Sequence, residues 1–392
     1  EGLVNGKNGA GEITRFDSTL FKTHFACEVK DYDPENYFDK KNIHKYDHFA
    51  QFSFIAADEA IADSGISSEN CNLDEVGVIM TSGIGGVNHL FNEVMEYSQG
   101  DRTPRFGPFL IPKMIVNMPS GIVSIKYGFR GPNFSTVSAC ASSTHAITVA
   151  FNYIRLGKCQ AVVAGGAGAA IGQLGIGGFN SMKALSTRND DPMTASRPFD
   201  LNRDGFVMGE GAGCLVLEEY EHAIARGAKI YAEVVGGGES ADAYHITAPH
   251  PEGEGGVLSM QRALKDAEIA PEVIDHINTH GTSTPMGDLA EVLAIQKVFG
   301  EHAYDISINS TKSMTGHLLG GAGAIEAIAC VLALKNGIIP PTINHFDDDP
   351  NIDSRLDFTF NKAKKRDIHY ALSNSFGFGG QNATLIFKKF QS

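Results

Sequence analysis

The sequence is poor in cysteine, with six in 392 residues. That is too few for a disulfide scaffold, and no two stand in the CxxC spacing of a zinc ribbon or a thioredoxin motif. Reduced thiols and a cytoplasmic setting are the expectation. Positive charge is also short. The 32 Lys and Arg against 46 Asp and Glu leave a formal net charge of −14, which opposes nonspecific binding to nucleic-acid phosphates. No apolar run is expected to reach the roughly 18 residues that a membrane helix needs. The opening EGLVNGKNGAGEITRFD lacks the basic start and apolar stretch of a signal peptide. Also missing are a Walker A lysine and a GxGxxG turn, so nothing points to phosphate or dinucleotide binding. Credible HxxxH or HExxH metal spacings are absent as well. Asp347-Asp348-Asp349 precedes Pro350 without the rest of a calcium loop, so it reads as a solvated acidic turn.

What is present suits a sizeable core. The chain is 42% apolar, and its 44 glycines cluster in runs such as VAGGAGAA, LGGAGA and FGFGG. Such runs fit tight turns and close backbone approach rather than a linker. Apolar runs at 75–83, 160–169, 230–238, 273–281 and 305–312 read as buried strands, and 211–228 passes from strand into helix, which predicts an α/β fold. Residues 369–389 read as two strands joined by a glycine turn. A weak repeat links Cys140-Ala-Ser-Ser-Thr-His-Ala-Ile to His317-Leu-Leu-Gly-Gly-Ala-Gly-Ala-Ile. Each opens a helix of small residues, then an apolar stripe: Ile147, Phe151 and Ile154 in the first, Ile325, Ile328 and Leu332 in the second. Two helices facing each other across a pseudo-dyad are expected, in halves 1–227 and 228–392.

Three residues stand out chemically. Cys140 lies between a β-prone run, Phe134–Ser138, and a helix start, where the helix dipole favours thiolate. The other cysteines have no such setting and read as space-filling. His280, in Asn278-Thr-His-Gly-Thr-Ser-Thr-Pro-Met-Gly-Asp288, and His317, in Ser310-Thr-Lys-Ser-Met-Thr-Gly-His317, sit where strands end, as sites in α/β sheets do. The remaining histidines have no such setting, and His44, His48, His222 and His369 read as surface residues.

Together with Val137-Ser-Ala-Cys140-Ala-Ser-Ser and Asn374-Ser-Phe-Gly-Phe378-Gly-Gly, these motifs resemble the β-ketoacyl-acyl-carrier-protein synthases, in particular the type II elongating condensing enzymes. The likeness runs along the whole chain, through Arg188-Asn-Asp-Asp-Pro, Ser196-Arg-Pro-Phe-Asp and Asp204-Gly-Phe-Val-Met-Gly-Glu. It implies a thiolase-like fold of two similar halves in five layers, α-β-α-β-α, usually a homodimer. It implies Cys140 as acyl acceptor, His280 and His317 as its catalytic partners, Lys312 as the active-site lysine and Glu326 as the acid that holds it. Thr282 and Thr284 match residues that bind the phosphopantetheine arm. Phe376, Gly377 and Phe378 match the gate loop, whose Phe378 N–H joins that of Cys140 in an oxyanion hole. Ile84 matches the base of the acyl pocket. Lys41, Lys45 and Lys183 match basic residues that meet the acyl carrier protein, with Lys40, Arg102 and Arg105 as further candidates. No cofactor is implied beyond the carrier's phosphopantetheine. Location would be the cytoplasm, or the plastid stroma in a plant or alga.

Two departures stand out. The family's opening strand, some thirty residues before Thr14-Arg15-Phe16-Asp17, has no match here, and its loss would open a buried sheet edge. Gln381 stands where many relatives have Thr. A polyketide ketosynthase and a noncatalytic chain-length factor share the fold, but the latter usually lacks the nucleophile. A degradative thiolase would carry a second Cys near the end of the chain.

Overall fold

The computed structural model describes residues 1–391. The buried strands come where the apolar runs lie. Helix α1 (His48–Ser64) precedes strand β1 (Val76–Ser82). Helix α2 (Ser142–Arg155) precedes β2 (Ala161–Gly168), followed by β3 (Gly211–Glu218). The second half runs β4 (Ala232–Ala241), α3 (Glu254–Asp266), β5 (His276–Asn278), α4 (Pro285–Phe299) and β6 (Ser307–Asn309). It closes with α5 (Ala322–Asn336), β7 (Tyr370–Gly377) and β8 (Gln381–Lys389).

Besides two small two-stranded pairs, these strands form a three-stranded sheet in the order β1-β2-β3 and a five-stranded sheet in the order β4-β8-β7-β5-β6. Their cores match. In one, β1 runs parallel to β2, and β2 antiparallel to β3. In the other, β5 runs parallel to β7, and β7 antiparallel to β8. Between them lie α2 and α5, around Ile147, Ala150, Ala327, Cys330 and Leu385. Helix α1 covers the first sheet through Phe49, Phe52 and Ala57. Helices α3 and α4 cover the second through Met260, Ala263, Val292 and Ile295. The layering is therefore α-β-α-β-α, as a thiolase-like fold requires.

Strands β1 to β8 and the closing hairpin match expectation, but three readings need correction. Residues 134–138 form no ladder strand. They follow a single parallel bridge from Val78 to Asn133, with Phe134 N donating to Val78 O. Within α5, Ile325 and Ile328 are only partly buried and Leu332 is exposed, while Ala324, Ala327, Cys330, Val331 and Leu334 form the buried face. This helix is apolar nearly all round, so its residues hold no periodicity that could choose the face. It also corrects the expectation about long apolar runs. The stretch Leu319–Asn336 has a mean hydropathy of 1.3 over 18 residues, though 72% of it is buried inside the protein.

The matching sheets differ at one edge. Strand β8 pairs antiparallel with β4 on its outer side. Strand β3 has no ladder partner on its outer side among the described residues. That edge borders a cavity of about 660 Å³ lined by Cys214–Glu218, Phe151, Ile154, Tyr231, Ile328 and Leu332. The apolar stripes read from both helices thus meet at this open edge.

Candidate active site

Backbone geometry brings the two repeats together. Cys140 lies in a single turn of 3-10 helix, Ala139–Ala141, that leads into α2. The corresponding turn, Leu319–Gly321, leads into α5. Both turns begin on a left-handed residue, Ala139 at φ 49° and Leu319 at φ 51°. Small residues allow the contact. A Cβ on Gly323 would lie 1.9 Å from Thr144 Oγ1, and one on Gly320 would lie 2.1 Å from Gly83 N. Ser143 Oγ accepts from Ala324 N across the pair, 3.0 Å away.

His280 follows β5, and His317 precedes the α5 turn. Their rings stand edge to face with centroids 5.3 Å apart. One sulfur or nitrogen atom from each of Cys140, His280 and His317 lies within 4.8 Å of the others. They border a mostly apolar cavity of about 420 Å³ that also takes in Thr282, Thr284, Phe376, Gly377, Phe378 and Lys183. The hydroxyls of Thr282 and Thr284 are 3.0 Å apart. The closing hairpin meets the nucleophile directly. A Cβ on Gly377 would fall 2.7 Å from Ser138 O and 3.3 Å from Cys140 N, so only glycine lets this backbone approach. Phe378 lies against Phe179, ring centroids 6.2 Å apart.

Electrostatics qualify the nucleophile. Burial pushes the Cys140 thiol up to about 11, outweighing the pull of Lys312 and the backbone N–H groups of Phe378 and Cys140 in the opposite direction. The expected thiolate at the helix start is thus corrected: desolvation of a buried charge is larger than the helix-end effect. Burial, then the charge of Lys312, holds both His280 and His317 well below the usual imidazole range, so both rings are neutral. Lys312, 1% exposed, is ion-paired with Glu326. Burial raises the Glu326 carboxyl to about 7 despite that pairing.

One supporting residue was not foreseen. Glu291, in α4, accepts from His280 N and Gly281 N, each at 2.8 Å, and from Asn374 Nδ2 at 3.2 Å. Burial raises its carboxyl to about 7. The signal was its place eleven residues after His280 on the helix that the motif opens. His145 is a second surprise, because its Nδ1 lies 2.7 Å from Ser138 Oγ beside the nucleophile's turn.

Other expected residues are not brought to the cavity. Ile84 follows β1 and is 41% exposed, outside the cavity lining. Lys40, Lys41, Arg102 and Arg105 are exposed elsewhere. Lys40 approaches Glu35, and Arg105 approaches Asp101, each at 3.6 Å. Lys45 donates to Asn42 Oδ1. Of the basic candidates, only Lys183 lines the cavity. Gln381 is exposed at the start of β8.

Residues 1–223 match the beta-ketoacyl synthase N-terminal domain, and residues 231–346 match its C-terminal domain. The chain is a β-ketoacyl synthase. It is 50% identical to a 3-oxoacyl-[acyl-carrier-protein] synthase 2 of Synechocystis sp. over 395 residues, covering 100% of this chain and 93% of that protein. A protein of the same description from Coxiella burnetii is 50% identical, covering 99% and 93%. Among solved structures, a beta-ketoacyl synthase from Burkholderia phymatum matches this β-ketoacyl synthase with TM-score 0.91 at 34% identity, over 99% of this chain and 94% of that one. A type II PKS acyl-carrier protein in complex with its ketosynthase matches with TM-score 0.90 at 33% identity, over 99% and 94%.

Proposed function

We propose that this β-ketoacyl synthase is an elongating 3-oxoacyl-[acyl-carrier-protein] synthase of fatty acid biosynthesis, with Cys140 as the acyl acceptor. The observation that carries the site assignment is the convergence of Cys140, His280 and His317 within 4.8 Å, beside the backbone of Phe378. The Cys140 sulfur attacks the acyl thioester, and its proton leaves with the carrier's pantetheine thiol. The N–H groups of Cys140 and Phe378 stabilise the tetrahedral oxyanion. Malonyl-carrier protein then enters, with Thr282 and Thr284 holding its arm. Neutral His280 and His317 each donate one N–H to the malonyl thioester oxygen. Breaking the C–C bond releases CO₂ and leaves an enolate, whose negative oxygen those donors stabilise. The enolate carbon attacks the acyl-Cys carbonyl, and the Cys140 sulfur departs and regains a proton. The product is longer by two carbons. Burial, with the charge of Lys312 beside it, keeps the imidazoles neutral, so each has one N–H to donate.

Residues 1–227 and 228–392 serve as the two halves, one bringing the nucleophile and the other the histidines. Lys183, which lines the cavity, is the basic residue placed to meet the carrier. The working form is a cytoplasmic homodimer that takes no cofactor besides the carrier's phosphopantetheine. The 50% identity to a protein described as 3-oxoacyl-[acyl-carrier-protein] synthase 2 supports this reading over that of a type II PKS ketosynthase, which matches at 33%.

Incubating the protein with acyl-carrier proteins and weighing it intact should show one acyl group, absent from Cys140→Ala. Acyl label on another cysteine, with Cys140 unmodified, would overturn the assignment.

A further inference from the structure

The catalytic cluster is also a set of metal ligands. Zinc binds thiolate sulfur at about 2.3 Å and imidazole nitrogen at about 2.0–2.1 Å in a tetrahedron, which puts neighbouring ligand atoms roughly 3.5 Å apart. Here the three ligand atoms lie within 4.8 Å of one another. Side-chain movements of about 1 Å close that difference, which rotamer freedom at an open cavity allows. Among the described residues, three of the four ring nitrogens of His280 and His317 have no hydrogen-bond partner. His317 is 2% exposed, and neither of its ring nitrogens has a hydrogen-bond partner; nor has Nδ1 of His280. The cavity leaves the fourth position open to water, as in zinc sites that keep an exchangeable ligand. Lys312 is the nearest cation, and its charge is offset by Glu326, with the Glu291 carboxyl behind His280.

We propose that the unacylated enzyme binds one Zn²⁺ through Cys140 Sγ and one ring nitrogen from each of His280 and His317, so that zinc and an acyl group exclude each other. Binding forms a sulfur–zinc bond and sends the thiol proton to solvent, with no change of oxidation state. An acylated sulfur has no proton to lose and is a poor donor, so acylation removes the site. Zinc is thereby a reversible block on the first half-reaction that a loaded enzyme escapes. Zinc binding stands on geometry alone, and its exclusion by an acyl group rests on acyl transfer to Cys140.

The test uses the full chain with Zn²⁺ in calorimetry, and Co²⁺ in absorption spectroscopy for the thiolate-to-metal charge-transfer band. One site is expected, with that band. Cys140→Ser should abolish the band and weaken binding by more than the roughly 10–100-fold lost when a group behind a metal ligand is removed, and His317→Ala should weaken it comparably, since each removes one of three protein ligands. Wild-type protein alkylated at Cys140, verified by mass, should lose the same site without any substitution. Zinc stoichiometry and affinity unchanged in both the Cys140→Ser and alkylated proteins would overturn the site. Loading with an acyl-pantetheine thioester, read by mass without zinc, then tests exclusion. Acyl-enzyme that binds zinc as tightly as free enzyme would overturn it. Failure of loading itself would overturn the acyl-transfer reading and leave calorimetry to decide the metal site.

Discussion

At the scale of the residue, the catalytic groups are defined by burial more than by neighbours. Burial pushes the Cys140 thiol up to about 11, because desolvation exceeds what Lys312 and two N–H groups return. Its folded value lies above the unfolded one, so its contribution to stability is present below pH 9 and is lost as pH rises through about 11. Removing the positive charge moves the thiol further the same way. Lys312→Met should therefore slow iodoacetamide alkylation of Cys140 at pH 8, measured by mass against time, and faster alkylation would contradict the electrostatic account. It should also lower stability by about 3–5 kcal/mol, the usual cost of stranding one partner of a buried ion pair. Glu291 invites a second test. Both its oxygens accept backbone N–H groups of the His280 turn, and an amide can offer only one acceptor. Glu291→Gln should cut condensation by about 10–100-fold, the usual effect of losing a group that orients a functional side chain. Self-acylation should change much less, because His280 is proposed to act on the malonyl oxygen. Equal losses in both half-reactions would mean that Glu291 does not work through His280.

At the scale of the element, the paired turns before α2 and α5 explain why so many residues of the repeat are small. Their backbones meet with no room for side chains, and Gly323 has the tightest contact with a side chain of the partner helix. Gly323→Ala puts a methyl 1.9 Å from Thr144 Oγ1, so Thr144 must give up its 2.7 Å bond to Ser375. Overpacking of this kind costs typically about 1–3 kcal/mol. A matching fall in denaturant midpoint is expected, and an unchanged midpoint would show that the helix pair can spread. The small-residue starts of both helices were legible in the chain because glycine and alanine runs have few other uses. The buried face of α5 was not legible, since a helix apolar on every side is oriented only by what packs against it.

At the scale of the molecule, a net charge of −14 sets a problem for any acidic carrier partner. Like charges repel at long range, so a local basic patch has to supply the attraction. Lys183 at the cavity mouth is the best placed of the candidates, while Lys41 and Lys45 lie elsewhere on the surface. Charge reversal at Lys41, Lys45 and Lys183 together should raise KM for carrier-bound substrate at low salt and spare a small pantetheine thioester. Unchanged kinetics with the carrier substrate would remove the patch. The amino-acid sequence by itself determined where the buried strands fall and which family the chain belongs to, because apolar runs and dense motifs are local signals. Tertiary structure alone decided that burial pushes the Cys140 thiol up to about 11 and that Glu291 anchors the His280 turn. Each depends on what distant segments place around a residue. Burial, which does most to raise the Cys140 thiol and the Glu291 carboxyl, exists only once the chain has folded.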